Sequence, residues 1–240
     1  MEMLLAEAIN RTVRSGGNVV IPTFAIERAQ ELMFYLDRLT SARRIPPLLV
    51  FLDSPMALDV NKVFERHSEF LDEEAQERLR SGQPLFRFPG LRFVQTIEES
   101  KAINTIKGSC IIMAGSGMCT GGRIKHHLVY NISRPESTVL FVGYQARGTL
   151  GRQILEGSAQ VRIFGQYHPV RAVIAQIHGF SGHADKEDLL GWLNNFVAPP
   201  LHLFLTHGEE ENALSLADEI YRLKKWIITV PEYGEEWELD

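Results

Sequence analysis

The fold class of this chain is decided by residues 109–123, SCIIMAGSGMCTGGR. Ser109 to Met113 is an apolar run typical of a buried strand, and the glycines after it form a loop before the next helical pattern. Strand, glycine loop and helix in this order are typical of an α/β protein. We therefore expect a mostly parallel sheet flanked by helices.

The same alternation continues on both sides of this stretch. Helices are predicted over 2–14 and 25–43, a helix start at Ser54-Pro55, and a polar, helix-prone insertion over about 60–81. Strands that are continuously apolar and separated by helices indicate a parallel sheet covered on both faces. The predicted strands are 18–21, 48–52, 91–94, 109–113, 138–142, 160–164, 172–177, 201–205 and 226–230.

Length and composition exclude few functions. With 240 residues and 45% hydrophobic residues, the chain can bury a large core in one or two domains. No apolar run approaches the ~18 residues that span a bilayer, and the start lacks a basic signal region, so we expect a cytoplasmic protein without a membrane partner.

A net charge of −5 argues against general coating of nucleic acids, yet arginines can still cluster in one cleft. Cys110 and Cys119 are interpreted as reduced thiols.

The first glycine loop predicts an anion site. Glycines around Ser116 and Gly117 let backbone N–H groups approach an anion, and Arg123 can fork onto phosphate oxygens at the helix start. His126 and His127 follow on the helix, where adjacent side chains diverge, so at most one of them reaches the site. Turn glycines with a solvated arginine remain the alternative interpretation.

A second loop, residues 143–152, has the same ingredients. Thr149 and Arg152 lie among its glycines, and the ring of Tyr144 can stack on a base. Neither loop matches a Walker lysine loop or a G-x-G-x-x-G fingerprint, so each alone is a weak signal. Their occurrence after two different predicted strands favours binding over simple turns.

Two histidines lie in loops that follow predicted strands. His183 belongs to residues 179–185, GFSGHAD, and His207 to residues 205–209, LTHGE. Each has a carboxylate two residues downstream, Asp185 and Glu209, which either fixes an imidazole tautomer or caps the next helix. The pattern predicts a metal-binding or acid/base role for the two histidines.

Together these motifs resemble a known family. The chain is similar to the metallo-β-lactamase-fold RNA nucleases that carry a β-CASP insertion, the RNA-processing exonucleases and the cleavage and polyadenylation specificity factor endonuclease. The segments occur in the family's order and cover nearly the whole chain. They are IPTFAIERAQEL (21–32), LDSPMA (52–57), GSGM (115–118), GGR (121–123), GYQ (143–145), GTLGR (148–152), GFSGHAD (179–185) and LTHGE (205–209).

The resemblance implies both a domain division and residue roles. It predicts a β-CASP domain over 1–170 and the C-terminal strand-helix portion of a metallo-β-lactamase domain over 171–240. His183 falls on a histidine that assists departure of the leaving group, and His207 on a zinc ligand. Both glycine loops fall on parts of the domain that face single-stranded RNA.

The chain also departs from the family pattern. The family's H-x-H-x-D-H zinc cluster and the acidic first β-CASP motif are absent from the 240 residues. We therefore expect an N-terminal metallo-β-lactamase half to be supplied from elsewhere, with zinc in the complete site and weak or no zinc binding by this chain alone. We also expect strands near 172–177, 201–205 and 226–230 to pair with that half. Open sheet edges then favour either self-association or a disordered C-terminal region. Alternatively, residues 170–240 pack in a compact three-strand unit against the β-CASP sheet.

Three functions are consistent with these observations. The first is part of a zinc-dependent ribonuclease that hydrolyses RNA phosphodiester bonds. The second is a non-catalytic RNA-binding or adaptor subunit, which the missing cluster favours, whereas His183 and His207 favour the nuclease. The third, a nucleotide-binding α/β domain, rests on the glycine loops alone and lacks an acidic ribose-binding residue in the right context.

Overall fold

A computed structural model describes residues 1–180 and 182–239 of the chain. The chain divides into two compact units, Met1–Ser181 and Gly182–Asp240. The first unit contains the helices α1 (Glu2–Arg14), α2 (Arg28–Ser41), α3 (Pro55–Arg66), α4 (Glu73–Arg80), α5 (Ile97–Ile103), α6 (Ile124–Asn131) and α7 (Leu150–Leu155). Its strands are β1 (Val19–Pro22), β2 (Leu49–Asp53), β3 (Leu91–Phe93), β4 (Cys110–Ala114), β5 (Thr138–Phe141), β6 (Gln160–Ile163), β7 (Gln166–Pro169) and β8 (Val173–Gln176).

The central sheet of the first unit has the strand order β3-β2-β4-β1-β5-β8, and each neighbouring pair is parallel. Alternate strand residues enter separate cores: Ile21 and Met113 pack in one, Val20 and Ile112 in the other. Burial on both faces explains why the strands read as continuous apolar runs. The predicted fold class, a mostly parallel sheet flanked by helices, is confirmed.

Local sequence explains several helix starts. The Ser54 hydroxyl accepts a hydrogen bond from the Ala57 N–H, and Pro55 is the first residue of α3, as its fixed φ favours. Thr96 and Glu99 form a reciprocal capping box at the start of α5. These interactions place the helices immediately after the strand ends, where the predicted binding loops also lie.

One predicted strand belongs to a different sheet. The sequence predicts a strand of the main sheet over 160–164, but β6 pairs antiparallel with β7 in a separate hairpin. Val161 and Ile163 are buried, whereas Gln160 and Arg162 are exposed. This alternation of buried and exposed residues is typical of a half-buried hairpin.

The strand near 172–177 has one partner among the described residues of this chain, and because it is the last strand of the sheet, its expected pairing with a metallo-β-lactamase half stays a prediction. That strand, β8, pairs with β5 of the same unit, with Thr138 opposite Val173 and Phe141 opposite Gln176. The β6–β7 hairpin returns the chain to the open edge of β5, so this edge is filled from within the first unit. The predicted family boundary at 170/171 stays a prediction.

The second unit is small. It contains α8 (Lys186–Leu193), β9 (Leu203–Phe204), α9 (Glu210–Lys224) and β10 (Ile228–Thr229), and β9 pairs with β10 in parallel. Its buried core consists of Leu193, Ile220 and Trp226 among the described residues. Within residues 1–180 and 182–239, every helix is too short or too polar to cross a lipid bilayer.

Candidate functional site

The two glycine loops are joined to each other by direct hydrogen bonds. The backbone N–H of Gly151 donates to the Met118 carbonyl at 3.1 Å. The Gln145 side-chain amide donates to the Gly117 carbonyl at 3.0 Å. The loops follow β4 and β5, which lie on either side of β1, so they meet across the end of β1. The carboxyl ends of parallel strands are where α/β proteins bind ligands.

Close packing explains why two of these positions are glycine. A Cβ atom at Gly117 would lie 2.5 Å from the Phe24 ring, and one at Gly151 would lie 1.8 Å from Oε1 of the buried Gln145. Neither position has room for a side chain, because Phe24 covers the first loop and Gln145 fills the space between the two loops. The loops therefore form one packed surface.

A buried carboxylate organises the first loop. Asp53, the last residue of β2, is fully buried and bonds to Nη1 of Arg123 at 2.6 Å and to Nε2 of His127 at 2.7 Å. The Ser100 hydroxyl donates to the same carboxylate. Nη2 of Arg123 donates to the Gln95 carbonyl at 2.7 Å. Arg123 is thus fixed at the point where the loop enters α6.

These hydrogen bonds also set the ionisation of Asp53. Burial alone raises the pKa of this carboxyl group, but the hydrogen bonds from His127, Ser100 and Arg123 outweigh it, and the pKa lies below its ordinary value. The carboxylate is therefore charged at neutral pH and balances the guanidinium of Arg123. Nη1 and Nη2 of Arg123 already donate to Asp53 and to the Gln95 carbonyl. Its predicted fork onto phosphate oxygens therefore stays a prediction.

From the sequence alone, Asp53 is noted only within the segment 52–57, and its partners are not predicted. The signal available was the position of Asp53, directly after an apolar strand at the same sheet edge as the glycine loops. Of the two adjacent histidines, His127 is buried in this network and His126 is exposed. The expectation that at most one points to a common site agrees with this arrangement.

A cavity of about 360 Å³ lies beside the first loop. It is bounded by the residues that follow β1, β2 and β4, including Phe24, Met56, Ser116 and Arg123. The Ser116 hydroxyl accepts hydrogen bonds from the backbone N–H groups of Thr120 and Gly121 and so closes the turn. This volume is at the low end of the range of small-molecule sites, ~300–1,000 Å³.

The remaining predicted residues of the second loop have structural contacts of their own. Thr149 caps α7 by accepting from the Arg152 N–H at 3.1 Å. Nε of Arg152 bonds to Glu156 at 2.6 Å, and its Nη1 donates to the Gln145 carbonyl at 3.3 Å. The ring of Tyr144 is exposed. The loop therefore carries an exposed aromatic ring and an arginine that is held in place.

The predicted histidines lie in the second unit. His183 is exposed and precedes α8, where the Asp185 carboxylate accepts from the Asp188 N–H at 2.9 Å as the helix cap. His207 has φ +68° and lines an open cavity of about 870 Å³ between the ends of β9 and β10 and the start of α9. Glu209 occupies the N-cap position of α9 without a side-chain cap bond. Of the two roles considered for Asp185, helix capping is the one observed.

Other candidates for metal or nucleophilic chemistry are limited. Among residues 1–180 and 182–239, no three His, Cys, Asp or Glu side chains are grouped so that they could hold a metal ion. Burial raises the pKa of Cys110 to about 11 and that of Cys119 to about 12. Both thiols are therefore neutral at physiological pH, as structural cysteines are.

Comparison with known proteins identifies the family. The Beta-Casp domain model matches residues 29–154, more than half of the chain, and the model of the Zn-dependent metallo-hydrolase RNA specificity domain matches residues 167–231. The chain belongs to the β-CASP family, which confirms the resemblance.

Named relatives share most of this chain's length. It is 41% identical to Ribonuclease TTHA0252 of Thermus thermophilus over 95% of this chain and 52% of the relative. It is 30% identical to the transcription termination factor FttA of Methanosarcina mazei over 93% of this chain and 36% of that protein. It is 29% identical to an RNase J-like protein of Methanocaldococcus jannaschii over 98% of this chain and 53% of that protein. The chain thus spans about a third to a half of the length of these relatives.

Proposed function

We propose that this chain is the RNA-binding part of a zinc-dependent ribonuclease that hydrolyses RNA phosphodiester bonds. The first unit binds single-stranded RNA through its glycine loops, and the second supplies His183 and His207. A metallo-β-lactamase half supplies the remaining zinc ligands. Membership of the β-CASP family supports this proposal, and the names of two relatives, a ribonuclease and an RNase J-like protein, agree with it.

The observation that carries the proposal is the distribution of charge. Residues 100–184 contain nine Lys and Arg but only two acidic residues, Glu136 and Glu156. The whole chain has the opposite balance, with 25 basic and 30 acidic residues. The basic segment includes both glycine loops. An excess of positive charge along one stretch of an acidic chain favours binding of a polyanion to that stretch.

The loop geometry suggests a division of labour for RNA binding. Backbone N–H groups of the glycine loops and the Ser116 hydroxyl contact phosphate oxygens, Arg152 supplies charge, and Tyr144 stacks on a base. Asp53 holds Arg123 at the end of the first glycine loop, so part of the role of Arg123 is to keep that loop in place. Binding of this kind does not require a sequence-specific contact.

Zinc is the cofactor that the family description names, and the described residues alone do not fit it. A catalytic zinc ion needs about three protein ligands, and no such group exists in residues 1–180 and 182–239. His207 is proposed as one ligand of a zinc site that is completed from elsewhere. His183 is proposed to donate a proton to the departing oxygen of RNA. The metal, when bound, supplies an activated water.

Binding of a labelled single-stranded RNA, followed by fluorescence anisotropy, tests the proposal. If two phosphates are held, raising the salt from 50 to 200 mM weakens affinity by about sevenfold, because the release of counterions from RNA on binding is less favourable at the higher salt concentration. Affinity independent of salt, or no binding at 50 mM salt, would contradict the proposal. A double-stranded DNA of equal length is the matched competitor.

The second candidate is a non-catalytic RNA-binding or adaptor subunit. The specific observation in its favour is again the lack of a grouped ligand set in the part of the chain that the structure describes. The two functions separate when zinc content and RNA cleavage are measured on the purified chain. We expect RNA binding with weak zinc binding and poor cleavage. Stoichiometric zinc with metal-dependent cleavage would show that the chain is a complete enzyme.

A further inference from the structure

The β6–β7 hairpin carries aromatic and basic side chains outside the glycine loops, and its tip contacts the start of α6. We call Lys125, His126, Arg162, Phe164 and Tyr167 the hairpin platform. The rings of His126 and Phe164 are stacked with centroids 4.6 Å apart and planes inclined by 34°. The Lys125 ammonium lies 4.9 Å from the centre of the Phe164 ring, within the range of a cation–π contact.

The platform is exposed although it is strongly aromatic. Phe164 is 54% exposed at the tip of the hairpin, and Tyr167 is 66% exposed. Arg162 lies opposite Tyr167 in the antiparallel pairing, and its Nε donates to the Gly165 carbonyl at 3.2 Å. Two large exposed rings on one short hairpin offer flat faces on which a planar ligand can stack.

The charge and position of the platform indicate which ligand. Residues 157–184, which include the whole hairpin, contain no acidic residue. Lys125 and His126 begin two residues after Arg123, where the first glycine loop ends. Exposed rings interleaved with cations are the arrangement that binds bases and phosphates of single-stranded nucleic acid. A protein partner would have to supply acidic groups opposite these cations, whereas RNA supplies both the negative charge and the flat rings.

We propose that the hairpin platform is an additional RNA subsite, in which a base stacks on Phe164 while Lys125 and Arg162 contact the flanking phosphates. This inference rests on the proposed function and extends it along the chain: an RNA held at the glycine loops continues over the start of α6 to the hairpin. The subsite is independent of base identity, because every base offers a flat face.

Variants of Phe164 test the subsite in the 240-residue chain. Phe164→Leu keeps apolar volume and removes the ring, so it weakens binding of a twelve-nucleotide RNA by about tenfold, within the range of base–aromatic stacking. Phe164→Tyr retains a ring and restores the affinity. Phe70→Leu is the matched control, because Phe70 is 84% exposed on the 3₁₀ turn Ser68–Phe70, in the acidic part of the chain.

The following outcomes separate the subsite from the proposed function. If the natural chain binds the twelve-nucleotide RNA and Phe164→Leu binds it with the same affinity, the subsite alone is overturned. Failure of the natural chain to bind any RNA would overturn both. A change in oligomeric state without a change in RNA affinity would mean that the platform contacts protein, which also contradicts the subsite.

Crosslinking provides a second measurement that needs no variant. Twelve-nucleotide RNA containing 4-thiouridine is expected to crosslink to the peptide that carries Phe164 and Tyr167. Crosslinks confined to the glycine loops would overturn the subsite even if a variant failed to fold.

Discussion

The loop edge of the first unit and the histidine loops of the second unit hold their functional side chains in different ways. At the loop edge, Arg123 is fixed by the fully buried Asp53, and the two glycine loops are joined by hydrogen bonds. In the second unit, His183 and His207 are exposed, and the core consists of Leu193, Ile220 and Trp226 among the described residues. The first region is preorganised within this chain. The second presents its imidazoles on a much smaller framework.

Two built-in reporters allow this comparison to be measured. Both cysteines, Cys110 and Cys119, lie in the first unit, and all three tryptophans, Trp192, Trp226 and Trp237, lie in the second. Thiol labelling therefore follows unfolding of the first unit, and tryptophan fluorescence follows unfolding of the second. Each variant below is assigned to one unit by these signals.

The largest expected effect follows from removing the charge of Asp53. Asp53→Asn leaves Arg123 without its buried partner and is expected to lower the free energy of unfolding by about 3–5 kcal/mol. Urea unfolding, monitored by thiol labelling, measures this change in the free energy of unfolding. Asp59→Asn is the control, because the Asp59–Lys62 pair is exposed and contributes at most about 1 kcal/mol. Equal effects of the two substitutions would mean that the network does not stabilise the loop edge.

The contribution of Asp53 also has a defined pH dependence. Because its folded-state pKa is lowered, its stabilisation is fully present above the unfolded-state value of about 4 and is lost as the pH falls through the folded-state pKa. The difference between the natural chain and Asp53→Asn is thus expected to shrink below pH 4. A difference that grows below pH 4 would contradict the assignment.

Packing between the glycine loops gives the next effect. Gly151→Ala places a Cβ atom against Gln145 and is expected to destabilise the first unit by about 1–3 kcal/mol. Gly143→Ala in the same loop meets no atom within 4 Å and is expected to stay within about 0.5 kcal/mol. Thiol labelling in urea distinguishes the two. If both alanines were tolerated equally, the loops would not be packed as described.

The smallest effect concerns the second unit. Asp185→Ala removes the cap of α8 and is expected to cost about 1 kcal/mol, visible in tryptophan fluorescence but not in thiol labelling. Glu236→Ala, at an exposed position outside the helices, serves as the control. A shift of the thiol-labelling transition by Asp185→Ala would show that the two units unfold together.

The sequence predicts the local features of the fold and misses its long-range ones. The strand before Ser54 and the strand that leads into Gly115 were both predictable, because apolar runs, caps and glycines act over a few residues. The Asp53 network joins residues 47, 70 and 74 positions apart, to Ser100, Arg123 and His127 respectively, and no local pattern signals such contacts.

The hairpin was missed for a related reason. The segment Gln166–Pro169 is polar and mostly exposed, so it lacks the apolar run by which a strand is recognised. Without it, the pattern predicts β6 in the main sheet and does not predict the pairing of β8 with β5. The position of both glycine loops at one sheet edge was predictable, since parallel strands place their carboxyl ends together.

The central claim is that RNA binds to the basic segment, residues 100–184, of an otherwise acidic chain. Ultraviolet crosslinking of the 240-residue chain to single-stranded RNA, followed by mass spectrometry of the crosslinked peptides, tests it most directly. The account predicts crosslinked peptides from the two glycine loops and the β6–β7 hairpin. Crosslinks found only in residues 1–99 or 185–240 would contradict it.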